Sequence, residues 1–459
     1  MSRGLWLLFF GLLIVIAFLS FSVSLNHDEV ESIHVAWKIF SGERIYVDFF
    51  EHHHPFYYYL LIPIIKLFNG NTGVVFAARA LSLGMLLLVF AVTYDISRNV
   101  FGKRPAVISL VLLATVRVFI YKVIEIRPDV PEALFGLISV SLLLNYFKRN
   151  TLKYLILSAV SLGLSFLFLQ KAIFLVFVIG VVLLHSWYFD RLRARDMSIY
   201  LAVLIAVLAP FYILLFINGQ LHAYLFYNWV FNTVYLKNWS VDCEKVMLLL
   251  ISLFKGNPLI WVSWLLSLLF LDTDQKEKIA IISFLFLIIF FMLQIYIKQY
   301  LILLIPFIAM MAGYGLDQAA VLFFKNGSAI IGIIVGINLF CPLESYSVDI
   351  KKSPIFQDLK EIEYVQSITR PADYVYDPSR HANLYRKDLD FYWSKEGIKH
   401  INSAHQWKPE NYDVYALIEK FKPKVIVESM IKNLGDHRIR DFYKKSDRYQ
   451  EVLIRADGQ

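Results

Sequence analysis

Apolar runs of about twenty residues recur along this chain, separated by short loops that carry its basic side chains, and few folds can accommodate that pattern. Runs long enough to cross a bilayer core lie near 5–24, 74–94, 106–122, 130–147, 153–169, 172–189, 198–217, 257–271, 279–296, 300–316 and 328–343. That amounts to about eleven transmembrane helices by window counting. With 58% hydrophobic and 18% charged residues, the composition lies far from that of soluble domains. The chain reads as a polytopic α-helical membrane protein. Its first run follows Arg3 and ends near Ser22 and Ser24, but it is longer than the core of a signal peptide, so an uncleaved anchor is expected.

Orientation follows from the short loops. Arg98, Lys103 and Arg104, then Lys148, Arg149 and Lys153, then Arg191, Arg193 and Arg195, then Lys276 and Lys278 fall on one side of successive spans. Positive loops face the cytoplasm. The formal charge of +8 is therefore a topological signal in a chain surrounded by membrane lipids, and no nucleic acid partner is implied. External loops are then 25–73, 122–131 and 218–256, within a membrane module of residues 1–344. The remainder, 345–459, loses its long apolar runs and gains mixed charge, as a small extracytoplasmic α/β domain would. Within it 356–368 and YDVYALIEKF read as helices, and DYVYDP, KVIVES and YQEVLI as strands. Cys243 and Cys341 fall on the external side, where either a disulfide or simple packing is open to them.

The first external loop is too apolar to be a free loop. Val30, Ile33, Trp37 and Phe40 recur at helical spacing before Gly42, and Pro55 opens PFYYYLLIPIIKLF, which suggests two interfacial helices. Asn26 with Glu29 has the form of a capping box, and Asp28 favours the positive end of the same helix. In the next external loop, EIRPDVPE (125–132), Asp129 and Glu132 also have a capping pattern, but Arg127 and Glu125 do not fit one. Ionisable groups at a membrane face are costly and usually functional. FEHHHPF supplies Glu51, His53 and His54, types that suit a divalent metal as well as an interfacial hydrogen-bonded loop. The rings of FYYYL and of 221–239 suit a lipid groove, sugar stacking or an ordinary aromatic belt.

Asp28–Glu29 after the first span, the run Gly42, Tyr46, Asp48, Phe49, Phe50, the following His54–Pro55, Arg79 in the second span and Arg127–Pro128–Asp129 together resemble a known pattern. It is that of the GT-C superfamily of membrane glycosyltransferases, of the protein-mannosyltransferase and aminoarabinose-transferase type (glycosyltransferase family 39). The likeness covers about the first 150 residues and continues more weakly into 298–316, where Gln299 stands in place of an expected arginine beside Tyr300. The resemblance implies a GT-C fold and transfer of a sugar from a polyprenyl-phosphate donor to an acceptor lipid, glycan or protein. Asp28 would be the general base, assisted or oriented by Glu29 and Asp129. Arg127, with Lys298, Arg79, Lys171 and Tyr300, would meet the donor phosphate. A bacterial inner membrane with the site facing the periplasm is expected. Rival readings are a flippase for lipid-linked glycans and an oligosaccharide transferase using a pyrophosphate-linked donor.

Overall fold

The computed structural model describes residues 2–68, 70–233, 243–292, 298–323, 354–394, 413–427 and 436–456. Its helices begin with α1 (Ser2–Ser22), α2 (His27–Phe40), α3 (Phe56–Phe68), α4 (Gly73–Phe101), α5 (Lys103–Thr115) and α6 (Arg117–Ile124). They continue with α7 (Asp129–Arg149), α8 (Leu152–Phe168), α9 (Ile173–Tyr188), α10 (Ala194–Ile217) and α11 (Leu221–Leu225). The chain divides into two compact units: Met1–Ser20, Ala80–Leu215 and Leu236–Lys351 form the first, and Phe21–Arg79, Phe216–Tyr235 and Lys352–Gln459 the second.

Among the described residues six helices are long and apolar enough to cross a membrane: Arg3–Ser22, Gly73–Phe101, Asp129–Arg149, Gln170–Tyr188, Ala194–Ile217 and Ile305–Phe323. The expected span 106–122 is the pair α5 and α6, which bend by 74° and make a seventh if they count as one. The break falls at Val116, whose extended backbone (φ −76°, ψ 97°) interrupts the helix. The expected crossing at 300–316 begins instead with a 3₁₀ turn, Lys298–Leu301, and becomes α-helical only at Ile305, where Pro306 suits a first turn. Leu152–Phe168 and Pro258–Phe270 are shorter apolar helices, and the span expected at 328–343 lies outside the described residues. So does Cys341, and with it the question of the disulfide.

Small residues set the packing of the first unit, where apolar surface facing lipid gives no drive for helices to associate. Ser139 and Ser158 exchange hydroxyl-to-carbonyl hydrogen bonds of 2.9 and 2.8 Å between α7 and α8. In the helix Ile305–Phe323, a Cβ on Gly313 would strike Ser109 of α5, and one on Gly315 would strike the backbone of Ser263 and Ser267. These glycines let three helices meet at backbone distance.

In the second unit the tail forms a four-stranded sheet, ordered β1-β2-β4-β3, from Val375–Tyr376, Val425–Val427, Tyr443–Lys445 and Val452–Arg455 as β1 to β4. β1 runs parallel to β2, and β2 and β3 are each antiparallel to β4. Alternation decides the two faces: Val425 and Val427 pack with Val365 on one, and Ile426 packs with Ile418 on the other. The helices Ile355–Ile368 and Val414–Phe421 supply those partners. β3 has no apolar alternation and is not evident from sequence.

Gly315→Ala is expected to lower stability by about 1–3 kcal/mol, as overpacking against backbone does. Thermal melting of the detergent-solubilised protein checks this, with Gly84→Ala, where a Cβ meets nothing within 4 Å, as the control.

Candidate active site

α2 starts where the capping pattern places it. Asn26 Oδ1 accepts the backbone N–H of Asp28 at 3.1 Å, and Glu29 Oε2 accepts that of Asn26 at 2.9 Å. Gly42 follows the last turn with φ +94°, a conformation that glycine adopts without a Cβ penalty. Glu29 does more than cap. Arg79 donates to it through Nε (2.8 Å) and Nη2 (2.7 Å), and to the carbonyls of Val23 (2.7 Å) and Ser24 (3.1 Å). Both side chains are buried, so this is a fully engaged ion pair joining the segment after α1, the start of α2 and the first turns of α4. Arg79, expected to meet the donor phosphate, is in this structure the partner of Glu29. Asp28, one residue earlier, is 27% exposed, with His27 Nε2 at 3.2 Å from its Oδ1.

Tail side chains complete the surroundings of α2. Arg380 pairs with Glu31, and its Nη2 lies 3.9 Å from Asp28 Oδ1. Asp388 Oδ2 accepts from Lys38 Nζ (2.7 Å) and meets His34 Nε2 (2.9 Å), while His34 Nδ1 meets the Leu384 carbonyl (3.0 Å). Burial alone would raise the Asp388 carboxyl, but the charges of His34 and Lys38 and their hydrogen bonds outweigh it and hold the pKa at about 2. Asp358, in the tail's first helix, takes the Ser24 hydroxyl (2.6 Å) and the Leu25 N–H (2.7 Å). None of Glu31, His34, Lys38, Arg380 and Asp388 was singled out by sequence reading. Spacing along α2 places Glu31, His34 and Lys38 on one strip, but their partners lie some 350 residues away.

The run after Gly42 is a built loop. Tyr46 adopts φ +68° and donates its hydroxyl to the His53 carbonyl at 2.6 Å. Asp48 takes the Arg44 side chain at 2.9 and 3.1 Å, and Phe50 exchanges backbone and indole hydrogen bonds with Phe391 and Trp393 (both 2.9 Å). Glu51 Oε1 accepts the N–H of His52 (2.8 Å) and His53 (2.9 Å) and meets His53 Nδ1 at 2.8 Å. The metal-type group is Glu51, His52 and His53, whose ligand atoms lie within 4.8 Å of one another. The expected group had His54 in place of His52; His54 Nε2 meets the Tyr224 hydroxyl at 2.8 Å. Consecutive residues at a turn point apart, and sequence spacing cannot say which histidine turns away.

In the first unit, EIRPDVPE opens α7. Pro128 is the N-cap residue and no side chain caps the helix, so the capping role expected of Asp129 is not what the structure has. Asp129 is instead held by Arg127 Nε (3.1 Å) and Lys171 Nζ (2.8 Å). Arg127 Nη1 also reaches Glu125 (3.0 Å), which Lys122 binds at 2.8 and 2.9 Å. Lys171 lies 4.4 Å over the Tyr300 ring. The proline-stiffened turn thus gathers Arg127, Lys171, Asp129 and Tyr300, all expected site residues, whereas the side chain of Lys298 lies outside the described residues. Arg117, Lys122 and Glu125 line one side of a cavity of about 400 Å³ whose other wall includes Leu253, Trp261 and Ile305.

Residues 52–216 match the family described as dolichyl-phosphate-mannose-protein mannosyltransferase. A crystal structure of ArnT from Cupriavidus metallidurans bound to undecaprenyl phosphate superimposes with a TM-score of 0.71 at 13% identity, covering 99% of this chain and 98% of that one. The oligosaccharyltransferase AglB from Archaeoglobus fulgidus, in complex with an inhibitory peptide and a dolichol-phosphate, gives 0.56 at 12% identity over 98% and 74%. A structure of the Archaeoglobus fulgidus oligosaccharyltransferase with Zn and sulfate gives 0.54 at 15% identity over 78% and 55%. No curated protein sequence matches the chain. The resemblance read from the sequence to GT-C membrane glycosyltransferases is therefore found again in a family match and in the fold.

Two outcomes test the second unit. Arg79→Ala leaves the buried Glu29 charge without its guanidinium and is expected to cost about 3–5 kcal/mol, read as a drop in melting temperature. The Asp388 carboxyl has a folded pKa below its unfolded one, so its stabilisation is present above the unfolded value and is lost as pH falls toward about 2. Acid unfolding followed by tryptophan fluorescence is expected to begin at higher pH in Lys38→Met.

Proposed function

We propose that this chain is a membrane glycosyltransferase that moves a sugar from a polyprenyl-phosphate-linked donor to an acceptor hydroxyl on the extracytoplasmic side. The observation that carries the reading is the cavity of about 400 Å³ beside the charged turn 125–129, which joins Arg117 and Lys122 to an apolar wall. Cavities of this size take small ligands, and cations beside apolar surface suit a phosphate with a lipid chain. The family match of residues 52–216 and the ArnT-like fold support the same reading.

The step is a single displacement. Asp28 takes the proton of the acceptor hydroxyl as its oxygen bonds to the anomeric carbon; the bond from that carbon to the phosphate oxygen breaks, and the lipid phosphate leaves with the electron pair. The anomeric centre inverts. Asp28 suits the role because it is partly exposed at a helix N-terminus, where the carboxylate form is favoured. Charge developing on the phosphate would be met by Arg127, Lys171 and Lys298, with Tyr300 placing Lys171. Asp129 orients Arg127 and Lys171, and Glu29 with Arg79 fixes the helix bearing Asp28. The setting is a bacterial inner membrane with the site in the periplasm.

Glu51, His52 and His53 fit a divalent cation, since Glu51 is buried and its Oε2 has no hydrogen-bond partner among the described residues. Such an ion would supply positive charge to an oxygen anion. An oligosaccharide transferase with a pyrophosphate donor remains the second reading, favoured by this group and by the AglB likeness.

Purified protein is incubated with radiolabelled polyprenyl-phosphate sugars and a membrane extract as acceptor. Asp28→Asn is expected to lower transfer by about 10²–10⁴-fold while donor binding survives. Arg127→Lys, which loses the planar fork, is expected to raise the donor KM about tenfold. Full activity of Asp28→Asn returns that residue to a structural role. A well-folded wild type that consumes no monophosphate donor but flips the labelled lipid in proteoliposomes is a transporter. Manganese titration is expected to show binding weakened at least about tenfold by Glu51→Gln or His53→Ala and unchanged by His54→Ala.

A further inference from the structure

We infer that Arg380 is a positioning residue for Asp28: from the tail it fixes one face of that carboxylate and favours its ionised form. The inference rests on the assignment of Asp28 as acceptor base. Three observations support it, all within the second unit.

The first is placement. The Arg380 side chain is 4% exposed, its Nη1 is bonded to Glu31, and its Nη2 stands 3.9 Å from Asp28 Oδ1. Asp28 and Glu31 are three residues apart and so adjoin on α2. One guanidinium thus spans two carboxylates of the helix's opening turns. Asp28 keeps 27% of its side chain exposed, so the covered side is held by a cation while the open side can meet a hydroxyl.

The second is backbone strain held for that placement. Arg380 adopts φ +61°, a left-handed conformation that is unfavourable for a residue with a Cβ. A turn built on Asp377 enforces it. Asp377 Oδ2 accepts the backbone N–H groups of His381 (2.9 Å), Ala382 (2.7 Å) and Asn383 (3.0 Å), and Oδ1 accepts the Ser379 hydroxyl (2.9 Å). The N–H of Arg380 itself reaches the Asp377 carbonyl at 3.1 Å.

The third is the set of charges around Asp28. His27 lies at 3.2 Å on its own helix, Arg380 lies at 3.9 Å from the tail, Glu31 shares Arg380, and Glu29 is engaged by Arg79. Arg380 is a permanent cation beside Asp28, whereas His27 carries charge only when protonated. A cation within about 4–6 Å lowers a carboxyl pKa. Glu31 competes for it, which makes the balance between the two acids adjustable.

The experiment is the pH profile of kcat/KM for sugar transfer by the full-length solubilised protein, with Asp28→Asn, Arg380→Gln, Arg380→Lys and Glu31→Gln. Removing Arg380 raises the Asp28 pKa, so the acidic limb of Arg380→Gln is expected to move up by about one pH unit, and activity on that limb to fall about tenfold. Arg380→Lys is expected to keep most of the wild-type limb. Glu31→Gln gives Asp28 the undivided cation, and its limb is expected to move to lower pH. An even loss across all pH in Arg380→Gln, with the limb unmoved, makes Arg380 a docking residue only and overturns the inference while leaving the base assignment intact. If Arg380→Gln does not fold, an unmoved limb in Glu31→Gln overturns it instead. Transfer retained by Asp28→Asn removes the base assignment and the inference together.

Discussion

The carboxylate of Glu29 is the point on which the second unit depends. Its two oxygens take the backbone N–H that opens α2 and two N–H groups of Arg79, whose remaining donors satisfy carbonyls at the end of the first helix. A buried carboxylate is tolerable only when its charge and lone pairs are both met. Meeting them here ties the segment after α1, the start of α2 and the first turns of α4 into one geometry. Asp28 follows from that arrangement, since Glu29 is turned inward while Asp28 keeps 27% of its side chain exposed at the start of the helix.

Tail residues then take up the other polar groups of α2. Glu31, His34 and Lys38 each find a partner between Arg380 and Asp388, in a stretch shaped by the Asp377 turn. The tail is thus not an appendage in chemical terms. Its strands give it a core of its own, while its irregular segment 377–394 neutralises a helix that could not otherwise bury those side chains. In the first unit the same rule governs the turn before α7. Arg127 is held by Asp129 and Glu125 and Lys171 by Asp129, so each of these buried cations has an acidic partner.

Much of this was legible in the chain. Apolar periodicity gave the long helices, Asn26 and Glu29 gave the start of α2, and the tail's helices and most strands followed from their alternation. The pattern Gly42, Tyr46, Asp48, Phe49, Phe50 was readable as a motif, and the structure explains it as a folded loop. The errors have a common physical source. Asp129 and Glu132 have the letters of a capping box, but Asp129 is drawn to two cations, one of them 42 residues away. His54 shares the composition of its neighbours, yet its direction is fixed by Tyr224, 170 residues on.

By itself, the sequence determined what depends on near neighbours along the chain: which segments are helices, where α2 begins, how apolar the whole is, and which short motifs gather acids beside cations. Tertiary structure alone decided how those charges are shared. That Glu29 pairs with Arg79, which histidines join Glu51, and that Arg380 and Asp388 serve α2 are matters of distance in space. Helix formation is settled by hydrogen bonds four residues apart, whereas a buried charge is settled by whichever opposite charge the fold brings within about 4 Å.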